Sequence, residues 1–138
     1  MGELVADFFL KRLREWDVHR IYGYPGDGIN AFLGALDRAD GDPEFIQARH
    51  EEMAAFMACG HAKFAGPDTL GVCMATSGPG AIHLLNGLYD AKLDHVPVVA
   101  IVEYEGAPHS FFDRKQEEFQ ADSDDAWRRT LEFIAAHA

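Results

Sequence analysis

Three short runs combine residue types that could handle a ligand or a proton. Gly23-Tyr24-Pro25-Gly26-Asp27-Gly28 and Thr76-Ser77-Gly78-Pro79-Gly80 are glycine- and proline-rich loops. Loops of this kind let backbone N–H groups approach an anion or a flat ring closely. Neither has GxGxxG spacing or the lysine of a P-loop, so each also reads as an ordinary strand-to-helix turn. The third run, Arg49-His50-Glu51-Glu52, places carboxylates at a helix start. There a Glu meets positive partial charge, and burial could raise its pKa for proton chemistry. On the residues alone, routine helix N-terminal placement explains it better.

His109 stands in the loop Gly-Ala-Pro-His-Ser-Phe-Phe, a place where the histidine of a catalytic triad can sit. A triad also needs a nucleophile and an acid, and the chain contains no GxSxG or GxCxG elbow. His109 is therefore an orphan. Cys59 and Cys73 fall mid-helix and mid-strand, as inert buried thiols do, and have no CxxC or Cys/His metal spacing. His19, His61, His95 and His137 show no paired spacing with carboxylates, so no metal ligand set is expected and they read as surface or packing residues.

The elements that must position these residues alternate. Helical spacing of Val5, Phe9, Leu13 and Trp16 predicts a helix over about 3–16. Short extended runs follow at 19–24 and 44–48, with a helix through Ile29, Phe32, Leu33 and Leu36 between them. A buried helix is expected over 50–65, then an apolar strand at 69–75, a helix to about Ala91 and a strand at 97–102. Such alternation predicts an α/β domain: a three-layer, flavodoxin-like parallel sheet of four strands in the order 2-1-3-4, with helices on both faces. Both glycine-rich loops then fall at the carboxyl edge of the sheet, where open α/β folds bind ligands. After Val102 the sequence turns acidic and aromatic. Asp122 and Asp125 suggest a helix cap there, and Trp127, Leu131 and Ile134 a helical stripe against the fourth strand.

Composition limits the partners. The 138 residues suit a single domain over 1–138 and include only two cysteines, which favours a reduced, cytoplasmic setting. A net charge of −11 gives no basic footprint for nucleic acid. The charged N-terminal stretch is no signal peptide, and no run approaches a membrane span.

Taken together, GYPGDGI (23–29), RHEEMAAFMA (49–58) and ATSGPGAIHLLNGLYDAKLDHVPVVAI (75–101) resemble the pyrimidine-binding (PYR) domain of thiamine-diphosphate enzymes. Within that family they are most similar to pyruvate oxidases and acetolactate synthases, and LLNGLYDA leans towards the oxidases. The resemblance covers about residues 3–102. It implies that Glu51 hydrogen-bonds a ring nitrogen of the cofactor's aminopyrimidine and promotes its imino tautomer. It also implies that Tyr24, Pro25 and Gly26 line one side of the pyrimidine pocket, and Thr76, Gly78, Pro79 and His83 the other.

The stretch 103–138 is similar instead to the C-terminal end of the dienelactone hydrolase family, with His109 as the triad histidine. Together the two resemblances imply a chimeric or designed domain without turnover of its own, its Glu51 vestigial. The alternative is a PYR subunit or fragment of a pyruvate oxidase or acetolactate synthase-like enzyme that binds the aminopyrimidine and needs a partner domain. A weaker alternative is an esterase using His109. The diphosphate-binding domain of the thiamine family is missing, since Gly26-Asp27-Gly28 has no asparagine at the required distance. Thiamine diphosphate is thus not expected to bind tightly to this chain alone, and an uncovered apolar face should drive dimerisation or higher self-association.

Overall fold

A computed structural model describes residues 4–103 and, in the tail, 120–121, 124–125 and 128–129. The chain divides into two compact units, Met1–Glu103 and Tyr104–Ala138. In the first, α1 (Val5–Glu15) precedes β1 (Arg20–Gly23), a single 3-10 turn (Asp27–Ile29), α2 (Asn30–Arg38) and β2 (Glu44–Gln47). There follow α3 (Glu51–Phe64), β3 (Gly71–Thr76), α4 (Pro79–Leu93) and β4 (Val98–Glu103). In the second unit the described tail residues are helical, with Arg129 Nε donating to Asp125 Oδ2 at 2.7 Å. His109, Trp127, Leu131 and Ile134 lie outside the described residues.

Among the described residues all strand pairs are parallel, in the order β2-β1-β3-β4. The α/β layout and strand order are those expected from the alternation of patterns. Boundaries shift by a residue or two: β3 begins at Gly71 rather than Thr69, and β4 runs one residue beyond Val102. The order has a physical consequence. From β1 the chain crosses outward to β2, then returns past β1 to begin β3 on its other side. With right-handed crossovers, that reversal sends α2 to one face of the sheet and α3 and α4 to the other.

Side chains alternate across the pleat and so feed two separate cores. From β3, Val72 and Met74 join Leu10, Leu13, Ile21, Ile29 and Leu36 beneath α1 and α2. Cys73 and Ala75 point the other way, to Tyr22, Ala54, Ala55, Ala58 and Leu84 beneath α3 and α4. β3 is buried on both sides, which is why it reads as a continuous apolar run.

The α3–α4 side is built from small residues. A Cβ added to Gly87 of α4 would lie 2.5 Å from the Ala55 Cβ and 2.6 Å from the Phe56 backbone nitrogen. At Gly71 an added Cβ would overlap the Ala58 carbonyl. Backbone here meets backbone, so neither neighbour can rotate aside. Gly87→Ala tests the contact because two effects oppose each other. Helix propensity favours Ala by up to about 1 kcal/mol. Overpacking costs about 1–3 kcal/mol. Thermal unfolding should show a Tm several degrees lower than that of the parent; a higher Tm would mean that α3 and α4 are not in close contact.

Candidate functional site

The reversal in strand order lies between β1 and β3, and open α/β sheets bind ligands at the carboxyl ends of strands beside such a switch point. Both glycine-rich loops leave the sheet there. Tyr24 is tied to the edge by its N–H, which donates to the Met74 carbonyl at 3.3 Å. From there the loop passes Pro25 to Gly26, whose added Cβ would meet Thr76 at 3.3 Å; one on Gly28 would overlap the Thr76 hydroxyl. Missing side chains at Gly26 and Gly28 thus let the first loop lie directly on the last residue of β3. Gly78 has φ +68, the left-handed region that glycine favours, and turns the chain so that Pro79 begins α4.

Glu51 is the first residue of α3, directly after its cap. Its side chain is only 13% exposed, and His83 of α4 lies against it, Nδ1 to Oε2 at 3.1 Å. A Cβ on Gly80 would lie 3.4 Å from Glu51 Oε1 and 3.0 Å from Thr76 Cγ2, so carboxylate, threonine and the α4 N-terminus converge. One turn further on, Asn86 Nδ2 donates to Glu52 Oε1 at 2.8 Å and holds the two helices in the same register.

Burial pushes the Glu51 carboxyl up, as the sequence suggests. Hydrogen bonds from its own backbone N–H and from His83, together with the charges that His83 and His50 can carry, outweigh burial. The net shift is downward from 4.5, so the rise that burial alone could give does not prevail. At neutral pH Glu51 is an ionised acceptor, held in place and partly shielded from water.

Of the residues singled out in the sequence, the structure brings Gly26, Glu51, Thr76, Gly78, Pro79 and His83 to one edge. Tyr24 and Pro25 lie in the adjoining loop. His50, Gly28 and Gly80 stand in the three runs noted in the sequence, but no role of their own was assigned to them there. His50 Nδ1 accepts from the Glu52 backbone N–H at 3.2 Å and caps α3, and its ring stacks on that of His83 with centroids 4.5 Å apart. The signal for His50 was its place directly before the helix-opening Glu51. His19 is a surface residue, as expected, and it bridges Asp42 at 2.7 Å and Asp17 at 3.2 Å. Hydrogen bonds to Asp42 and Asp17 raise its pKa. It lies at the opposite edge of the sheet, beside a shallow concavity lined also by His61 and Thr69. Arg20 and Asp68 line it too, so charged groups also gather at that edge. Both cysteines are buried as expected; burial pushes Cys73 up to about 12, and the Cys59 thiol donates to Asp90 at 3.1 Å. Among the described residues, no helix is long and apolar enough to cross a membrane.

Residues 4–126 match the family described as "Thiamine pyrophosphate enzyme, N-terminal TPP binding domain". The chain is 53% identical over 89 residues to a thiamine pyrophosphate-containing protein of Bacillus subtilis (strain 168), covering 64% of this chain and 15% of that protein. It is 44% identical over 108 residues to the pyruvate oxidase of Lactiplantibacillus plantarum, covering 78% of this chain and 18% of the oxidase. With the acetolactate synthase isozyme 2 large subunit of Escherichia coli (strain K12) the identity is 45% over 112 residues, covering 81% and 20%. These values do not favour the oxidase over the synthase. The chain therefore spans about a fifth or less of these relatives. The family match also runs past Val102, through the junction at which a second parent was expected. A chimera with a dienelactone hydrolase thus gains no support, and the PYR-fragment alternative fits better.

The electrostatics of Glu51 can be checked through stability. A carboxyl whose pKa is lower folded than unfolded stabilises the fold above its unfolded value and loses that contribution as pH falls through the folded one. Urea unfolding of the wild type and Glu51→Gln between pH 3 and pH 6 should therefore show the wild type gaining stability relative to the variant as pH rises, mainly near and below 4.5. A difference independent of pH would contradict the depressed pKa.

Proposed function

Because the chain belongs to the thiamine pyrophosphate enzymes, matching their N-terminal TPP binding domain, we propose that it supplies the pyrimidine side of a thiamine diphosphate site. The observation that carries this reading is Glu51: an ionised, mostly buried carboxylate at the carboxyl edge, at the switch point of the sheet. Such an acceptor fits a nitrogen-rich aromatic ring that can take or share a proton. Glu51 would bind the ring nitrogen and hold a proton at Oε1 or Oε2. His83 would fix the carboxylate's orientation, while the Tyr24–Gly26 loop and the Thr76, Gly78, Pro79 segment would bound the ring. When bound, the thiazolium of the cofactor supplies the carbanion chemistry, and the protein's share is orientation and electrostatics. On this reading the chain is one part of a pyruvate oxidase or acetolactate synthase-like enzyme, and residues beyond these 138 hold the diphosphate and its metal.

An apolar surface supports the need for a partner. Ile82, Leu85, Tyr89 and Leu93 are exposed along one stripe of α4, at spacings of three and four residues. Met53, Phe56 and Phe64 form a matching exposed stripe on α3, which passes over Gly60. Exposed apolar stripes on neighbouring helices are a common mark of an interface. In isolation the stripes are expected to drive self-association. Sedimentation velocity over a range of concentrations should then show a dimer or larger species that Leu85→Glu with Tyr89→Glu shifts towards monomer. A parent protein that stays monomeric at high concentration would remove this support.

The cofactor reading has a direct test that needs no partner domain. Titrating the full chain with 4-amino-5-hydroxymethyl-2-methylpyrimidine should move the amide resonances of Gly26, Glu51 and Thr76, with weak affinity in the millimolar range or above, about −4 kcal/mol or less in magnitude. Glu51→Gln should weaken it severalfold. No movement at these amides, or movement that Glu51→Gln leaves unchanged, would refute the assignment.

A further inference from the structure

The ring of His19 has a carboxylate at each nitrogen. Nδ1 stands 2.7 Å from Asp42 Oδ1, and Nε2 stands 3.2 Å from Asp17 Oδ1. A neutral imidazole donates through one nitrogen and presents a lone pair at the other, so only the imidazolium can donate to both. Asp17 belongs to the turn between α1 and β1, and Asp42 to the turn between α2 and β2. We propose that His19 is a proton-operated clasp on the end of α1, closed while both ring nitrogens carry protons and released at Asp17 when one proton leaves. The clasp lies at the edge of the sheet opposite Glu51 and is independent of the thiamine reading.

What it holds is an uncommon helix end. Val18 N–H donates to the Leu13 carbonyl at 3.0 Å and Asp17 N–H to the Arg14 carbonyl at 2.9 Å, the two hydrogen bonds of a Schellman motif. Asp17 fills the position that this motif usually gives to glycine, with φ +61. Aspartate tolerates the left-handed region better than most residues, and the contact to His19 gives its side chain a fixed direction. The His19 carbonyl in turn accepts from the Glu44 N–H at 2.8 Å, which seats the ring beside the start of β2. Arg14 Nη1 donates to the Asp42 carbonyl at 2.9 Å, a tie between α1 and the second turn that does not depend on His19.

The surrounding charges set the direction of titration. Asp17 and Asp42 favour the imidazolium, and the exposed Asp68 lines the same concavity. Arg14 of α1 opposes it. Arg20 of β1 opposes it less, because Glu44 of β2 pairs with that guanidinium at 3.3 Å. His61 of α3, also on the wall of the concavity, opposes it only where it is itself protonated. Hydrogen bonds to Asp42 and then to Asp17 raise the His19 pKa above 6.5. The side chain is 57% exposed, so protons reach the ring without unfolding. On deprotonation the shorter contact keeps its hydrogen. The neutral ring is then the Nδ1–H tautomer on Asp42, and Asp17 faces a lone pair.

Imidazole nitrogen-15 spectra of the full chain across neutral pH test the clasp. His19 should titrate above 6.5, doubly protonated on the acid side and Nδ1–H on the alkaline side. Asp42→Asn should lower its pKa more than Asp17→Asn, following the two distances. A group whose pKa is raised by folding stabilises the fold at low pH and loses that contribution as pH rises through its folded value. In urea the parent should therefore lose stability relative to His19→Gln as pH rises through the His19 midpoint, and an Asp17→Asn background should shrink that change. A neutral ring protonated on Nε2, a midpoint that neither Asp variant moves, or a gap to His19→Gln that is independent of pH would each overturn the proposal.

Discussion

The architecture of the site rests on how closely two helices approach each other. Gly87 has no side chain where α4 meets Ala55 of α3, and the α3 backbone in turn packs on Gly71 of β3. This closeness gives up the apolar area that larger side chains would bury, about 25 cal/mol for each Å². What it secures is geometric. With the two helix axes close together, residues at their N-termini can meet directly, and Glu51 and His83 sit at hydrogen-bond distance. Further along, Lys63 of α3 reaches Asp90 at 2.8 Å and Asp94 at 2.6 Å near the C-terminal ends of both helices. The helix pair is thus joined by polar contacts at both ends and by small residues between them.

Sheet topology sets where that junction falls. β1 and β3 lie side by side, yet the chain leaves them for opposite faces, so their loops separate and leave a crevice at the carboxyl edge. Gly26 and Gly28 keep the first loop on Thr76, and Gly78 starts α4 within reach of Glu51. Glu51 accordingly experiences opposing influences. Burial disfavours its charge, while a helix N-terminus and two imidazoles favour it, and the second group prevails.

Much of this arrangement was legible in the chain itself. The apolar run at β3 and the turn signals around it are enough to indicate a doubly covered parallel strand, and Gly-Pro clusters mark the loops that follow β1 and β3. The strand order 2-1-3-4 was expected too, and the sheet has it. What one sequence could not provide was the sign of the Glu51 shift, which depends on His83 in another helix. Nor could it reveal His50 as the neighbour of His83, or His19 as the bridge between Asp17 and Asp42, since Asp42 is distant along the chain. Local patterns locate elements, whereas pairings between elements require the folded backbone. The change of character after Val102 illustrates the reverse hazard: a shift in composition looked like a junction between families, and the family match continues through it.

The alternation of side chains along β3 gives the molecule a kind of modularity. Val72 and Met74 belong wholly to the core under α1 and α2, and Cys73 and Ala75 wholly to the core under α3 and α4. The sheet acts as a bulkhead between a compartment that contributes bulk, with Leu10, Leu13, Ile29 and Leu36, and one that contributes placement, with Ala54, Ala55 and Ala58. Mutational drift can therefore proceed at different rates on the two sides. The first compartment can exchange one large apolar side chain for another and change chiefly how firmly the domain folds. The second holds Tyr22 and Leu84 as well, but where Ala55 meets Gly87 and Ala58 meets Gly71 it has no volume to exchange, and that seam is what positions the carboxylate.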